Sequence, residues 1–154
     1  MEAISAFPMK ISLTYVLHND NIMVRTLKLR GRRLAMTREF VWTTAFLAGW
    51  NRCGFDTQAD LARLENALLE DPKAGPVIKG TGGARKFRFA FEDQGKSGSA
   101  RVIYVDFEIG EKICGLAAYA KADKASLTEG EKKAIKKMIE TIEPYYNKPN
   151  GKEE

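Results

Sequence analysis

The sequence has a single histidine, His18, among 154 residues. A mechanism that needs two imidazoles is therefore excluded, and any phosphate chemistry would have to use Lys, Arg, Tyr or carboxylates. The two cysteines, Cys53 and Cys114, are too few for a disulfide scaffold and do not have the spacing of zinc ligands. We therefore expect no metal and no other cofactor.

Long apolar runs are also missing. No stretch approaches the roughly 20 residues that a membrane-spanning helix needs, and no secretion signal is visible. These absences predict a cytoplasmic protein without a membrane partner. Hydrophobic residues make up 44% of the chain, which is too many for a disordered protein and suits one compact domain.

Positive charge is in excess but unevenly distributed, with a formal net charge of +5. Residues 79–101 contain six Lys or Arg and two acids, and residues 1–35 contain the same numbers. A basic block in the middle of a domain is the electrostatic footprint of a polyanion binder, whereas an ordinary solvated surface is the simpler explanation. Charge alone leaves both interpretations open.

The spacing of apolar residues predicts an α+β domain with the element order β-α-α-β-β-β-α. The first helix is expected over 44–52, and Asp56 or Thr57 can cap the start of the second. The last helix begins at Ser126 or Thr128 with a capping box and ends at Pro144. We expect the helices to pack on one side of the sheet. The predicted strands are 38–43, 84–91, 100–108 and 112–120, and the last three form an antiparallel meander.

The first 35 residues allow two interpretations. Residues 9–16 and 22–29 alternate in character and flank a polar stretch, which is typical of a β-hairpin. Met36 could instead be a start codon, in which case residues 1–35 lie upstream of the working domain. We therefore predict an N-terminal extension over 1–35, a domain over 36–146 and a polar tail over 147–154.

Alternation along the strand 84–91 separates its side chains onto two faces. Phe87, Phe89 and Phe91 share one face, which must be the core. Lys86 and Arg88 therefore share the opposite, open face.

Two further cations are expected near this pair, because Arg101 opens the next strand and Lys121 closes the third. Neighbouring antiparallel strands lie about 5 Å apart, so the four cations could meet on one concave patch. Like charges repel unless an anion lies between them, which favours a phosphate site. The alternative is that strand lysines protect an exposed edge from aggregation.

Four segments of the sequence resemble the RelE/ParE superfamily of bacterial type II toxins, in particular its HigB-like branch. The resemblance covers about residues 37–143. It implies a RelE-like fold, in which an antiparallel twisted sheet carries two N-terminal helices and one C-terminal helix. The four segments are residues 64–75, 79–90, 95–104 and 119–128.

The resemblance also implies an activity and partners. Such a toxin would be a ribosome-dependent mRNA endonuclease that uses the ribose 2′-OH, without a metal, to break the adjacent phosphodiester. Its partners would be the ribosome, mRNA and a HigA-like antitoxin with a helix-turn-helix, and it would meet operator DNA only through the antitoxin complex. The alternatives are a ParE-like inhibitor of gyrase and an inactive nucleic-acid-binding module on the same scaffold.

Carried over residue by residue, the resemblance assigns roles to the basic residues. Arg88 and Arg101 would hold the scissile phosphate and stabilise its growing charge. Lys86 or Lys121 would move protons. Because some relatives use a C-terminal tyrosine, Tyr145 and Tyr146 are candidates too. The implied catalytic residues are Lys86, Arg88, Arg101 and Lys121, and the implied RNA-binding residues are Lys79, Arg85, Lys96, Tyr119 and Lys124.

Overall fold

The computed structural model describes residues 10–12, 22–30, 35–90 and 99–149, with side chains from Arg38 onward. From the third strand onward, the elements follow the predicted order β-α-α-β-β-β-α, so the α+β class is confirmed. In chain order the elements are β1 (Lys10–Ser12), β2 (Ile22–Arg30), β3 (Ala35–Thr43), α1 (Thr44–Arg52), α2 (Ala59–Glu70), β4 (Arg85–Ala90), β5 (Ser99–Phe107), β6 (Lys112–Ala120) and α3 (Glu129–Tyr146).

The strands form one sheet in the order β1-β2-β3-β6-β5-β4. As predicted, β4, β5 and β6 are an antiparallel meander. Strand β3, however, pairs with β6 in parallel, from Glu39 opposite Lys112 to Trp42 opposite Gly115. The sheet is therefore mixed rather than antiparallel throughout, because the helical connection returns the chain to the end of the sheet at which β3 began.

The helices cover both faces of the sheet, so the expectation that they pack on one side is wrong. On one face, Phe40 and Trp42 of β3 pack with α1 and α2. On the other face, Val41 packs with Ile135 and Ile139 of α3. Successive side chains of a strand point to opposite faces, so a central strand between two layers must be apolar on both.

A row of stacked rings joins β3 to α1. The ring centroids of Phe40, Trp42, Phe46 and Trp50 are separated in turn by 5.5, 4.5 and 5.5 Å. Phe40 and Trp42 are two residues apart in a strand, and Phe46 and Trp50 are four apart in a helix. Each pair therefore lies on one face of its element, which places the four rings on one line. Aromatic pairs of this kind contribute about 0.5–1.5 kcal/mol each beyond their buried area.

Helix α2 begins at Ala59, with Gln58 rather than the predicted Asp56 or Thr57 at the N-cap position. The Asp56 carboxylate accepts hydrogen bonds from the backbone N–H groups of Gln58 at 2.9 Å and Asp60 at 3.0 Å. Asp56 therefore stabilises the start of the helix from outside it.

Helix α3 begins as predicted, with the capping box formed by Thr128 and Glu131. The prediction that it ends at Pro144 is wrong, because the helix continues to Tyr146. A proline removes one backbone N–H donor, but close to the end of a helix few further backbone hydrogen bonds remain to be made. Here the N–H of Asn147 still donates to the Glu143 carbonyl at 2.8 Å, which completes the last turn.

The described backbone of the first 35 residues extends the sheet beyond β3. Strand β2 pairs with β3 from Ile22 opposite Thr43 to Arg30 opposite Ala35, and β1 pairs with β2. The division into an extension over 1–35, a domain over 36–146 and a tail over 147–154 stays a prediction. Residues 91–98 and 150–154 lie outside the described part of the chain.

Candidate phosphate-binding site

Three neighbouring strands bring two arginines and a tyrosine into one row. Arg88 of β4 lies opposite Arg101 of β5, and Arg101 lies opposite Tyr119 of β6. Residues that face each other in antiparallel strands share a face and have Cβ atoms about 4.5–5.5 Å apart. Lys86 lies two residues before Arg88, opposite Ile103 on the same face. We call Lys86, Arg88 and Arg101 the cation row.

The cation row lines an open depression at the β4 edge of the sheet. The opposite wall is the loop 74–76, and none of the lining residues that the structure describes is a carboxylate. Within the described part of the chain, none of the three cations forms an ion pair. Positive charge of this kind attracts an anion, and in the absence of one it costs stability.

Hydrogen bonds from the sheet hold the loop wall in place. The buried Tyr104 hydroxyl donates to the Pro72 carbonyl at 2.8 Å and accepts the N–H of Gly75 at 3.1 Å. The Arg85 guanidinium donates to the Gly75 carbonyl at 2.8 Å. The contact is close, since a Cβ at Gly75 would lie 2.5 Å from the Lys86 carbonyl oxygen.

The Arg85 side chain, which the resemblance predicts to bind RNA, is thus hydrogen-bonded to the loop wall in this structure. Sequence reasoning missed Tyr104 and Gly75 as parts of the site. A tyrosine inside a buried run such as 102–105 was the available signal, because a buried hydroxyl usually finds a hydrogen-bond partner.

Tyr119 and Lys124 lie where the row continues onto β6. The Lys124 ammonium is 5.2 Å from the centroid of the Tyr119 ring and pairs with the Glu131 carboxylate. The Tyr119 hydroxyl is buried and has no hydrogen-bond partner among the described residues. Burial raises the pKa of this hydroxyl, although the nearby Arg101 opposes the shift. The hydroxyl is therefore protonated at neutral pH and can both donate and accept a hydrogen bond.

The other predicted cations lie outside the depression. Lys121 is exposed just after β6, where its backbone N–H donates to the Ser99 carbonyl at 3.2 Å. Lys121 therefore lies beside Ser99 at the start of β5, two residues before Arg101 along that strand. Lys79 is exposed at the start of the glycine-rich loop before β4. Lys96 lies outside the described residues.

The structure separates the C-terminal tyrosines from the row. Tyr146 lies against Gly110, in the turn between β5 and β6. Arg101 and Tyr119 are at the other end of these two strands. At about 3.3 Å per residue, the strand from Arg101 to Phe107 spans about 20 Å. Tyr145 and Tyr146 therefore cannot contact the phosphate that the cation row would bind.

Neither cysteine has the features of a nucleophile, because burial raises the pKa of both the Cys53 and the Cys114 thiol. Across the described ranges, His, Cys, Asp and Glu side chains do not gather in threes as metal ligands. No helix in those ranges has the length and apolar character to cross a bilayer.

A comparison with protein families gives a match over this region. The family described as the RelE toxin of the RelE / RelB toxin-antitoxin system matches residues 63–148. The match covers more than half of the chain, from within α2 to the residues just after α3, and it includes the whole cation row. Toxins of this family pair with a cognate antitoxin and are generally endoribonucleases. The chain therefore belongs to the RelE toxin family and is the toxin component of a toxin–antitoxin system.

Proposed function

We propose that the chain is a ribosome-dependent mRNA endonuclease of the HigB-like branch, which inhibits translation in the cytoplasm. The observation that carries this proposal is the position of Arg88 directly opposite Arg101, with Lys86 beside them, in an open depression whose described lining contains no carboxylate. Two guanidinium groups on facing strands match the non-bridging oxygens of one phosphodiester.

The proposed reaction is the one that the family resemblance implies. The ribose 2′-OH attacks the adjacent phosphorus and loses its proton to a base, while the bond from phosphorus to the 5′ oxygen breaks. The products are a 2′,3′-cyclic phosphate and a 5′-OH end, whose oxygen receives a proton. Negative charge grows on the non-bridging oxygens, where Arg88 and Arg101 stabilise it.

The proton transfers fall to Lys86 or Lys121 in this proposal. Lys86 lines the depression itself, so it is the nearer candidate for the 2′-OH. Lys121, beside the start of β5, is the candidate at the opposite side of Arg101. A general base has to come within hydrogen-bond reach of the proton that it removes, so variants of each lysine should separate the two roles.

The remaining basic residues would hold RNA on either side of the cut. Lys124 is well placed for this role if a phosphate replaces Glu131 as its partner. Tyr119 would act through Lys124, whose ammonium lies 5.2 Å from the centroid of its ring. Arg85 would act by keeping the loop wall in position. The proposed RNA-binding residues remain Lys79, Arg85, Lys96, Tyr119 and Lys124.

The resemblance supplies the proposed partners. We propose a HigA-like antitoxin with a helix-turn-helix, which neutralises the toxin and carries it to operator DNA. The ribosome and mRNA are the targets of the free toxin. Membership in the RelE toxin family, whose toxins pair with a cognate antitoxin, supports this part of the proposal.

Expression from an inducible promoter, with transcriptome-wide mapping of mRNA 5′ ends, tests the proposed function. We expect cuts that are linked to codons and carry 5′-OH ends. Arg101→Ala should abolish them, while Lys148→Ala, at an exposed position just after α3, should not. An SOS response without mRNA cuts would contradict the proposal and indicate a gyrase inhibitor instead. No growth effect would indicate an inactive binding module.

A further inference from the structure

Ser99, the first residue of β5, contacts the side chain of Arg101. The two residues lie on the same face of the strand, because side chains two positions apart point the same way. Arg101 Nη1 donates a hydrogen bond to the Ser99 hydroxyl at 3.4 Å. Ser99 is only 3% exposed, so little water competes with the guanidinium for this hydroxyl.

The backbone of Ser99 makes a second connection to the proposed site. Its carbonyl oxygen accepts the backbone N–H of Lys121 at 3.2 Å. Ser99 therefore contacts two residues to which the proposed reaction gives roles, one through its side chain and the other through its main chain. A substitution that removes only the hydroxyl leaves the carbonyl in place, so the two connections can be tested separately.

Arg38 shows the other way in which this protein holds a guanidinium. Its Nε donates to Oδ1 of Asp106 at 2.9 Å, and both side chains are largely buried. A carboxylate fixes the guanidinium but also cancels its charge. The Ser99 hydroxyl is a neutral acceptor, so Arg101 is held and keeps its full positive charge for an anion.

Arg101 needs such an anchor because of its neighbour across the strands. Arg88 lies directly opposite, and the two like charges repel when no anion lies between them. A long arginine side chain has many rotamers into which it could move away. The contact with Ser99 involves Nη1, so most of the five N–H groups of the guanidinium remain available to a ligand.

We propose that Ser99 is a positioning residue, whose hydroxyl holds the Arg101 guanidinium in the orientation that binds the scissile phosphate. This inference rests on the proposed function, which supplies the phosphodiester. Without the hydroxyl, Arg101 keeps its charge but samples more orientations, and fewer of them match the phosphate oxygens. The loss therefore falls mainly on the rate at which bound RNA is cut.

Three variants of the full chain separate the hydroxyl from the rest of the residue. Ser99→Ala removes the hydroxyl and keeps the carbonyl that accepts from Lys121. Ser99→Thr restores a hydroxyl, and its β-branched side chain suits a strand. Ser126→Ala, the matched control, removes the hydroxyl of an exposed serine between β6 and α3. Thermal unfolding of each variant establishes that the fold is retained.

The first measurement is the rate at which the purified chain cuts mRNA on translating ribosomes. We expect Ser99→Ala to lower kcat about tenfold while KM changes less than about threefold. Ser99→Thr should recover most of the rate, and Ser126→Ala should cut as fast as the wild type. A Ser99→Ala chain with the kcat of the wild type would overturn the inference.

The second measurement shows whether Ser99 acts through Arg101. The probe is a fluorescein-labelled oligonucleotide of 2′-O-methylribose, which has phosphodiesters but no attacking hydroxyl. Ser99→Ala should lower its affinity about threefold in the wild type and leave it unchanged in the Arg101→Gln background, because interacting residues are not additive. Equal losses in the two backgrounds, or no loss in either, would overturn the inference.

This second measurement also keeps the inference distinct from the proposed function, because the oligonucleotide cannot be cut. If the two substitutions are coupled in a chain that cuts no mRNA, Ser99 positions Arg101 for a phosphate and only the endonuclease proposal fails. If the chain cuts mRNA as proposed and the substitutions are not coupled, only the positioning role of Ser99 fails.

Discussion

The hydroxyl of Tyr104 accepts the backbone N–H of Gly75 across 3.1 Å, which joins the middle of the central sheet to the loop after α2. The same hydroxyl donates to the Pro72 carbonyl at 2.8 Å. Both bonds lie in a buried region, so water does not compete for them. The wall of the depression that the cation row lines therefore depends on one phenol that lies on the other face of the sheet.

Removing this hydroxyl should lower the stability of the protein. Tyr104→Phe keeps the ring but leaves a buried N–H and a buried carbonyl without their partner, which costs about 1–3 kcal/mol. Denaturant unfolding measures the change. The matched variant Tyr145→Phe, at a side chain that is 71% exposed, should change stability by less than about 0.5 kcal/mol. A Tyr104→Phe chain as stable as the original would show that the loop wall does not depend on these bonds.

Alkaline pH should weaken the same connection. Burial raises the pKa of Tyr104 above its ordinary value of 10.0. The folded state then holds this proton more tightly than the unfolded chain, so stability is lost as the pH rises above about 10. We expect the difference in unfolding free energy between the wild type and Tyr104→Phe to shrink over that range. A difference that stays constant with pH would contradict this.

Two glycine-to-alanine substitutions should act in opposite directions. A Cβ at Gly75 would lie 2.5 Å from the Lys86 carbonyl oxygen, so Gly75→Ala must push the loop away from β4 at a cost of about 1–3 kcal/mol. At Gly130, in the first turn of α3, the nearest atom is Thr128 Oγ1 at 4.0 Å. Gly130→Ala should therefore stabilise the protein by about 0.5–1 kcal/mol. Thermal unfolding of both variants checks the signs.

Phosphate should stabilise the wild type through the cation row. An anion that binds only the folded state raises its stability by mass action, and Arg101→Gln removes half of the facing arginine pair. We expect the variant to be at least as stable as the wild type without phosphate and to gain much less when phosphate is added at constant ionic strength. Arg52→Gln should gain as much as the wild type. Equal gains in all three would place the anion elsewhere.

Removing residues 1–35 tests the predicted division of the chain. A version that begins at Met36 lacks β2, so β3 becomes an edge strand with unpaired backbone groups. We expect it to be less stable and more prone to aggregation than the version that begins at Met1. If both versions are equally stable and equally toxic in an inducible expression assay, residues 1–35 lie outside the working domain.

Local sequence signals predicted much of the fold. The alternation of Phe87 and Phe89 with Lys86 and Arg88 is enough to assign the two faces of β4, because a strand has a period of two. The capping box at Thr128 and Glu131 marked the start of α3 for a similar reason, since both partners lie within one turn. These patterns depend on neighbours in the sequence and are visible without coordinates.

What the sequence determined by itself was the class of the domain, the order of its elements and the charge on the open face of β4. The tertiary structure alone decided that β3 enters beside β6 in parallel, that α3 covers the face opposite α1, and that Arg88 meets Arg101 in register. It also decided that Tyr104 supports the loop at Gly75. Periodicity reports which side of an element is apolar, but the pairing of distant elements depends on the packing of the whole core, which no local pattern contains.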